Sequence, residues 1–142
     1  ILINVDNFYS IPINEEYSTR SYFSEAHTNR LLYNFGTIVL SKRATLNFTF
    51  NNIPGDENTL TYTIKYTPAN CELPLNVFDP PENCDLNASF EGNFNSISEN
   101  KTIHVESILE TNVILEYSIN FEPTQTIEIP LTNLETNYVF EY

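Results

Sequence analysis

The sequence contains no methionine and no tryptophan, and its only glycines are Gly36, Gly55 and Gly92. Glycines this sparse exclude a glycine-rich phosphate cradle and the Gly-x-Ser-x-Gly elbow of serine hydrolases. Tryptophan, prominent in aromatic sugar platforms, is missing, and most of the other aromatics alternate onto apolar faces where core packing accounts for them. Cations are scarce too. Six Lys plus Arg stand against 19 Asp plus Glu, for a net charge of −13 and a pI near 4.2. That field repels a phosphate backbone, which excludes nucleic acid as a partner, and it disfavours anionic membrane surfaces. No apolar run approaches the ~20 residues of a membrane-spanning helix, so no membrane insertion is expected. The chain opens on Ile1 instead of Met. This predicts a processed mature protein or an excised fragment, with a cleaved secretory leader as the commonest source and a secreted, cell-surface location as the consequence.

What is present points to one folded domain. The 142 residues are 41% hydrophobic and 13% aromatic, too apolar for a disordered polymer, and a chain of this length buries roughly two-thirds of its unfolded surface. Side-chain periodicity is two rather than 3.6. In residues 44–51, Leu46, Phe48 and Phe50 oppose Thr45, Asn47 and Thr49. In residues 60–66, Leu60, Tyr62, Ile64 and Tyr66 oppose Thr61, Thr63 and Lys65. The turn between them carries Pro54-Gly55, so the two runs read as a β-hairpin. Alternation recurs in residues 102–106, in 112–121 with Val113, Leu115, Tyr117, Ile119 and Phe121 on one face, in 126–131 and in 137–142. Pro130 marks an edge or a strand end. Residues 30–33, 37–40, 77–78 and 86–90 are shorter candidates, and residues 15–29 read as a loop or a short helix around 21–29. Eight to ten short strands with little helix predict an all-β fold, an antiparallel β-sandwich of Ig-like or jelly-roll-like type, with a closed barrel second.

An internal echo relates Leu109-Glu110-Thr111-Asn112-Val113-Ile114-Leu115-Glu116-Tyr117 to Leu134-Glu135-Thr136-Asn137-Tyr138-Val139-Phe140-Glu141-Tyr142, with six of nine positions identical. Two copies are too few for a solenoid, so they read as two similar strands, the second ending early at a sheet edge.

Catalytic signals are weak, and the chain is expected not to be an enzyme. The histidines, His27 and His104, sit in polar surroundings and make no zinc spacing with the cysteines. Cys71 and Cys84 are expected to form one disulfide, the usual state of an even cysteine pair in an exported chain. No cofactor is expected. Calcium is the one metal with oxygen donors in reach, at Asp79, Glu82 and Asp85, with weaker groups at Asp56-Glu57 and at Asp6 with Glu15 and Glu16. Solvated acidic loops are the preferred account of these carboxylates. Twenty asparagines include three glycosylation sequons, at Asn47, Asn87 and Asn100, no more than chance placement predicts.

The leading segment is the most suggestive stretch. In residues 1–13, Ile1, Ile3 and Val5 alternate with polar or opposite-facing neighbours, and Ile11 and Ile13 follow. Such a segment pairs either in its own sheet or in a neighbour's. With the sandwich pattern behind it, one disulfide and small size, the chain resembles the exported β-sandwich pilin and thread subunits of bacteria and archaea that assemble by donor-strand complementation. The resemblance is one of layout and matches no family motif residue by residue; the mid-chain cysteines depart from usher-assembled pilins. It implies a structural subunit of an extracellular filament, with residues 1–13 as donor strand, residues 14–142 as the sandwich, and copies of itself as partners. Two alternatives stand beside it: a monomeric adhesin or ligand- or carbohydrate-binding module that reads sugar or protein through its loops, and a viral capsid or spike domain.

Overall fold

The computed structural model describes residues 7–10, 14, 16–23, 40–74 and 85–142. Among them lie ten strands and no helix: β1 (Asn7–Ser10), β2 (Thr19–Phe23), β3 (Arg43–Asn51), β4 (Leu60–Tyr66), β5 (Asn70–Pro74), β6 (Ala88–Phe94), β7 (Lys101–Ile108), β8 (Asn112–Ile119), β9 (Gln125–Pro130) and β10 (Glu135–Glu141). The all-β expectation therefore holds. The short helix considered around residues 21–29 does not begin there, because Ser21, Tyr22 and Phe23 belong to β2.

The strands form a three-stranded sheet, β10-β3-β7, a four-stranded sheet, β6-β4-β8-β9, and a smaller sheet, β1-β2-β5. The first two make the sandwich. Their inner faces are the alternating apolar residues: Ala44, Leu46, Phe48 and Phe50 from β3 are buried, as are Leu60, Tyr62 and Ile64 from β4 and Val113 and Leu115 from β8. Rings cross between the sheets. Phe50 lies 4.4 Å from Tyr62 and 5.1 Å from Phe94, and Tyr117 meets Phe140 edge-on at 4.7 Å. Each such fully buried side chain contributes about 1.5–3 kcal/mol by leaving water.

Partner choice departs from the sequence reading in two respects. The runs at β3 and β4 do not form a hairpin, because β3 pairs with β7 and β10 while β4 pairs with β6 and β8. Residues 52–59 carry the chain from one sheet to the other, and eight residues readily span the ~10 Å between packed sheets. The pairing is also mixed and not wholly antiparallel, since β10 runs parallel to β3 and β2 parallel to β5. Through β3, β4, β6, β7, β8 and β9 the order of strands and partners follows strands B, C, C′, E, F and G of an immunoglobulin-type sandwich. The place beside β3 that an N-terminal strand takes in that plan is filled by the C-terminal β10.

The small sheet hangs from the opposite end of the sandwich to residues 52–59. Ser18 N–H donates to Ser41 C=O, Thr19 N–H to Ala69 C=O, and Ala69 N–H to Glu106 C=O. Of the leading segment, Asn7–Ser10 pairs antiparallel with this chain's own β2, Asn7 opposite Phe23 and Ser10 opposite Arg20. Ile1, Ile3, Val5, Ile11 and Ile13 lie outside the described residues.

Candidate functional site

Register brings three loops to one end of the sandwich. Leu60 is opposite both Phe94 and Ile119, and Phe50 is opposite Lys101. The connections 52–59, 95–100 and 120–124 therefore emerge together, at the end that corresponds to the B–C, C′–E and F–G loops of the immunoglobulin plan. Within the order β6-β4-β8 the outer two loops stand about two strand spacings apart, roughly 10 Å.

Each loop is a turn with its own chemistry. Ile53-Pro54-Gly55-Asp56 closes with Asp56 N–H on Ile53 C=O at 3.2 Å, and Gly55 has φ 95°. Proline at the second position and a left-handed glycine at the third define a type II turn. Asn95-Ser96-Ile97-Ser98 closes through Ser98 N–H on Asn95 C=O at 3.0 Å, while Asn95 Oδ1 accepts the Ile97 N–H at 3.1 Å. Ile119-Asn120-Phe121-Glu122 closes through Glu122 N–H on Ile119 C=O at 3.0 Å, with φ 52° at Asn120 and 62° at Phe121. Two successive left-handed residues make a type I′ turn, which favours Asn at the first of them and Gly at the second. Here the second is phenylalanine.

Asparagine side chains lock the three turns together. Asn52 Nδ2 donates to Ser96 C=O at 2.7 Å and Ser98 C=O at 3.1 Å, and the Asn52 N–H donates to Asn100 Oδ1 at 2.9 Å. Asn120 Nδ2 donates to Asn58 Oδ1 at 2.7 Å, and Asn120 Oδ1 accepts the Thr59 N–H at 2.9 Å. The central loop is thus tied to both neighbours.

On this braced frame stand apolar side chains that the fold leaves in water. Phe121 is 89% exposed, Ile97 87% and Ile53 40%. Asp56, Glu57, Glu99 and Glu122, on the same three loops, are exposed as well. Beneath, Asn52 Oδ1 is buried without a hydrogen-bond partner, and the Tyr142 hydroxyl is buried beside the Ser98 side chain. Burial pushes the Tyr142 pKa up, and a weak contact with Ser98 offsets part of the rise. A bulky residue in the left-handed region, exposed apolar turn tips and an orphaned polar atom each carry a folding cost, and such departures gather where binding, not stability, dictates the residue.

An open cleft of about 510 Å³ runs along the outer face of the four-stranded sheet toward the same end, lined by Thr61, Thr63, Glu91, Asn93, Glu116 and Ser118 among others. Thr63 lies opposite both Glu91 and Glu116, which sets the two carboxylates on either side of it. Glu116 is engaged by Lys65 at 2.7 Å. The cleft is polar and shallow.

The residues singled out from sequence are scattered. Asn47 sits mid-strand on the outer face of the three-stranded sheet, where its Nδ2 donates to Glu135 at 2.8 Å and Asn137 at 2.9 Å and its Oδ1 meets His104 Nδ1 at 2.7 Å. A glycan there has to replace one of those bonds. Asn87 and Asn100 are exposed, Asn100 on the loop end itself. Cys71 is buried and not free, while Cys84, Asp79, Glu82 and His27 lie outside the described residues. Asp85 is described and exposed, and among the described residues no three metal-binding side chains come together. Phe121, expected to face inward with Val113 and Leu115, instead lies beyond the end of β8 and points to water. The I′ turn reverses the chain two residues before the alternation would have ended. Asn-Phe followed by Glu122-Pro123 was the available signal, as was Asn95 two residues ahead of an apolar Ile97.

Comparison of the chain with protein-family models, curated proteins and solved structures finds no match.

Proposed function

We propose that this chain is a non-catalytic β-sandwich binding module of an extracellular or cell-surface protein, an adhesin-type domain that docks its partner through the loop end. The observation that carries this reading is the presentation of Ile97 and Phe121 in water on three loops cross-braced by Asn52 and Asn120. Loops ordered before binding avoid most of the conformational cost of association. The Cys71–Cys84 disulfide and glycosylation at Asn87 belong to the same proposal, as features of an exported chain. The reading invokes no cofactor. Its test is an array of extracellular proteins and glycans probed with the wild-type chain and with an Ile97→Asp/Phe121→Asp variant of matched thermal stability. Wild-type signals lost in the variant support it. Signals kept by the variant, or none from either, reject it.

A second reading, a filament subunit joined by β-strand addition, is favoured by one feature. Among the described residues β10 pairs on one side only, with β3, and so presents an open edge. The in-chain pairing of Asn7–Ser10 removes part of the leading segment from strand donation, so the copy-to-copy contact would fall at β10 or at residues 1–6. Negative-stain electron microscopy of untagged native material separates the two readings: regular fibres favour the filament, and monodisperse particles favour the module.

A further inference from the structure

We infer that the partner seated on the loop end is a basic protein segment that carries an apolar side chain beside its cations. This rests on the binding-module reading and adds the chemistry of the ligand. Loops 52–59, 95–100 and 120–124 contain Asp56, Glu57, Glu99 and Glu122 and no Lys or Arg; the nearest cation in sequence is Lys101, the first residue of β7. Four exposed carboxylates thus share these loops with Ile53, Ile97 and Phe121, on a chain whose net charge is −13.

The two components do different work. Fields of this kind steer an oppositely charged partner to the site and raise its association rate. Residence depends on apolar anchors, and aromatic side chains are among those that most often dominate an interface. Other occupants meet specific opposition. A second copy brings its own −13 charge and its own carboxylates to the same place. Anionic lipid and nucleic acid are repelled. A neutral hydrophobic ligand gives the four carboxylates nothing to pair. The bracing of the loops by Asn52 and Asn120 favours a short segment that fits a preformed tip, with Phe121 and Ile97 on the two loops that flank residues 52–59.

The experiment is selection from a random twelve-residue peptide phage library on the whole chain, followed by affinity measurement of synthetic winners. The expected winners carry two or more Lys or Arg next to an aliphatic or aromatic residue. Their affinity falls at least ~10-fold in Phe121→Ala, as for an interface anchor, and several-fold in Asp56→Asn/Glu57→Gln/Glu99→Gln/Glu122→Gln or on raising salt from 50 to 500 mM. Winners that depend on Phe121 but show no basic enrichment and no salt dependence overturn the charge assignment while leaving the loop end as the binding site. Winners indifferent to both Phe121 and Ile97, or no winners, overturn the site itself. Phe121-dependent sedimentation with phosphatidylcholine or mixed phosphatidylcholine–phosphatidylglycerol vesicles overturns a protein partner in favour of lipid. Unchanged melting temperature in the charge-neutral variant guards against a folding artefact.

Discussion

Phe121 offers a test in which stability and binding separate. Its φ of 62° places a Cβ in the left-handed region, at a cost of about 1–2 kcal/mol for a non-glycine residue. Its ring is 89% exposed, so truncation removes only ~20 Å² of burial from a side chain of roughly 200 Å², or ~0.5 kcal/mol. Phe121→Gly relieves the strain, loses that burial and adds about 0.5–1 kcal/mol of unfolded-chain entropy. The sum lies between ~0.5 kcal/mol destabilising and ~1 kcal/mol stabilising. Phe121→Ala loses the same burial and keeps the strain. The cleaner quantity is therefore the difference between the two variants. Glycine should be more stable than alanine by about 1 kcal/mol, or 2–4 °C in melting temperature, reversing the usual order at an ordinary loop position. Urea unfolding followed by circular dichroism measures both variants in one series. Phe121→Asn should fall between them, since asparagine tolerates this conformation. Alanine equal to or more stable than glycine would show that residue 121 is not held left-handed, and the strain argument for the loop end would go with it. Both variants should lose the peptides that the wild-type chain selects.

Two further expectations concern the sandwich. A Cβ at Gly92 would lie 2.5 Å from the Tyr62 hydroxyl and 2.7 Å from Cζ, and Gly92 is the cross-strand partner of Tyr62, whose ring is held by Phe50 and Phe94. Gly92→Ala should therefore cost about 1–3 kcal/mol by overpacking; in a Tyr62→Leu background most of that cost should vanish in a double-mutant cycle. Burial raises the pKa of both Tyr62 and Tyr142 above 10.0. Below pH 10 both phenols are protonated in the folded and unfolded states. As pH rises past 10 the unfolded chain releases these protons first, so stability declines with further rise through the folded values. Melting temperature measured from pH 8 to 12 should fall above pH 10, and less steeply in Tyr142→Phe. An identical alkaline slope in that variant would reject burial of Tyr142 as a source of the pH dependence.

Much of the inward-facing pattern was legible. The alternation at β3, β4, β8 and β9 marks Leu46, Phe48, Phe50, Leu60, Tyr62, Ile64, Val113, Leu115 and Ile129, all of which are buried. Pro130 ends β9, an edge strand. The loop end was not legible as a site. Its signals are single residues in loops 95–100 and 120–124, and Phe121 continued the alternating run of β8 too well to be separated from it by periodicity. The handedness of two backbone dihedrals removed it from the core.

Alternation is a local property of the chain, since successive side chains on a strand point to opposite faces whatever the strand pairs with. For that reason the sequence by itself determined that the protein is all-β and which side chains of its longer strands turn inward. Strand partnership was decided only by tertiary structure, because the hydrogen-bond ladder is made of backbone groups that every strand offers alike. Thus β3 and β4, adjacent in sequence and alternating in step, lie in opposite sheets. The repeated segments ending at Tyr117 and Tyr142 do the same and face each other where Tyr117 meets Phe140. The gathering of Ile53, Ile97 and Phe121 at one end follows from that choice of partners, because it is register that sets Phe94 and Ile119 both beside Leu60.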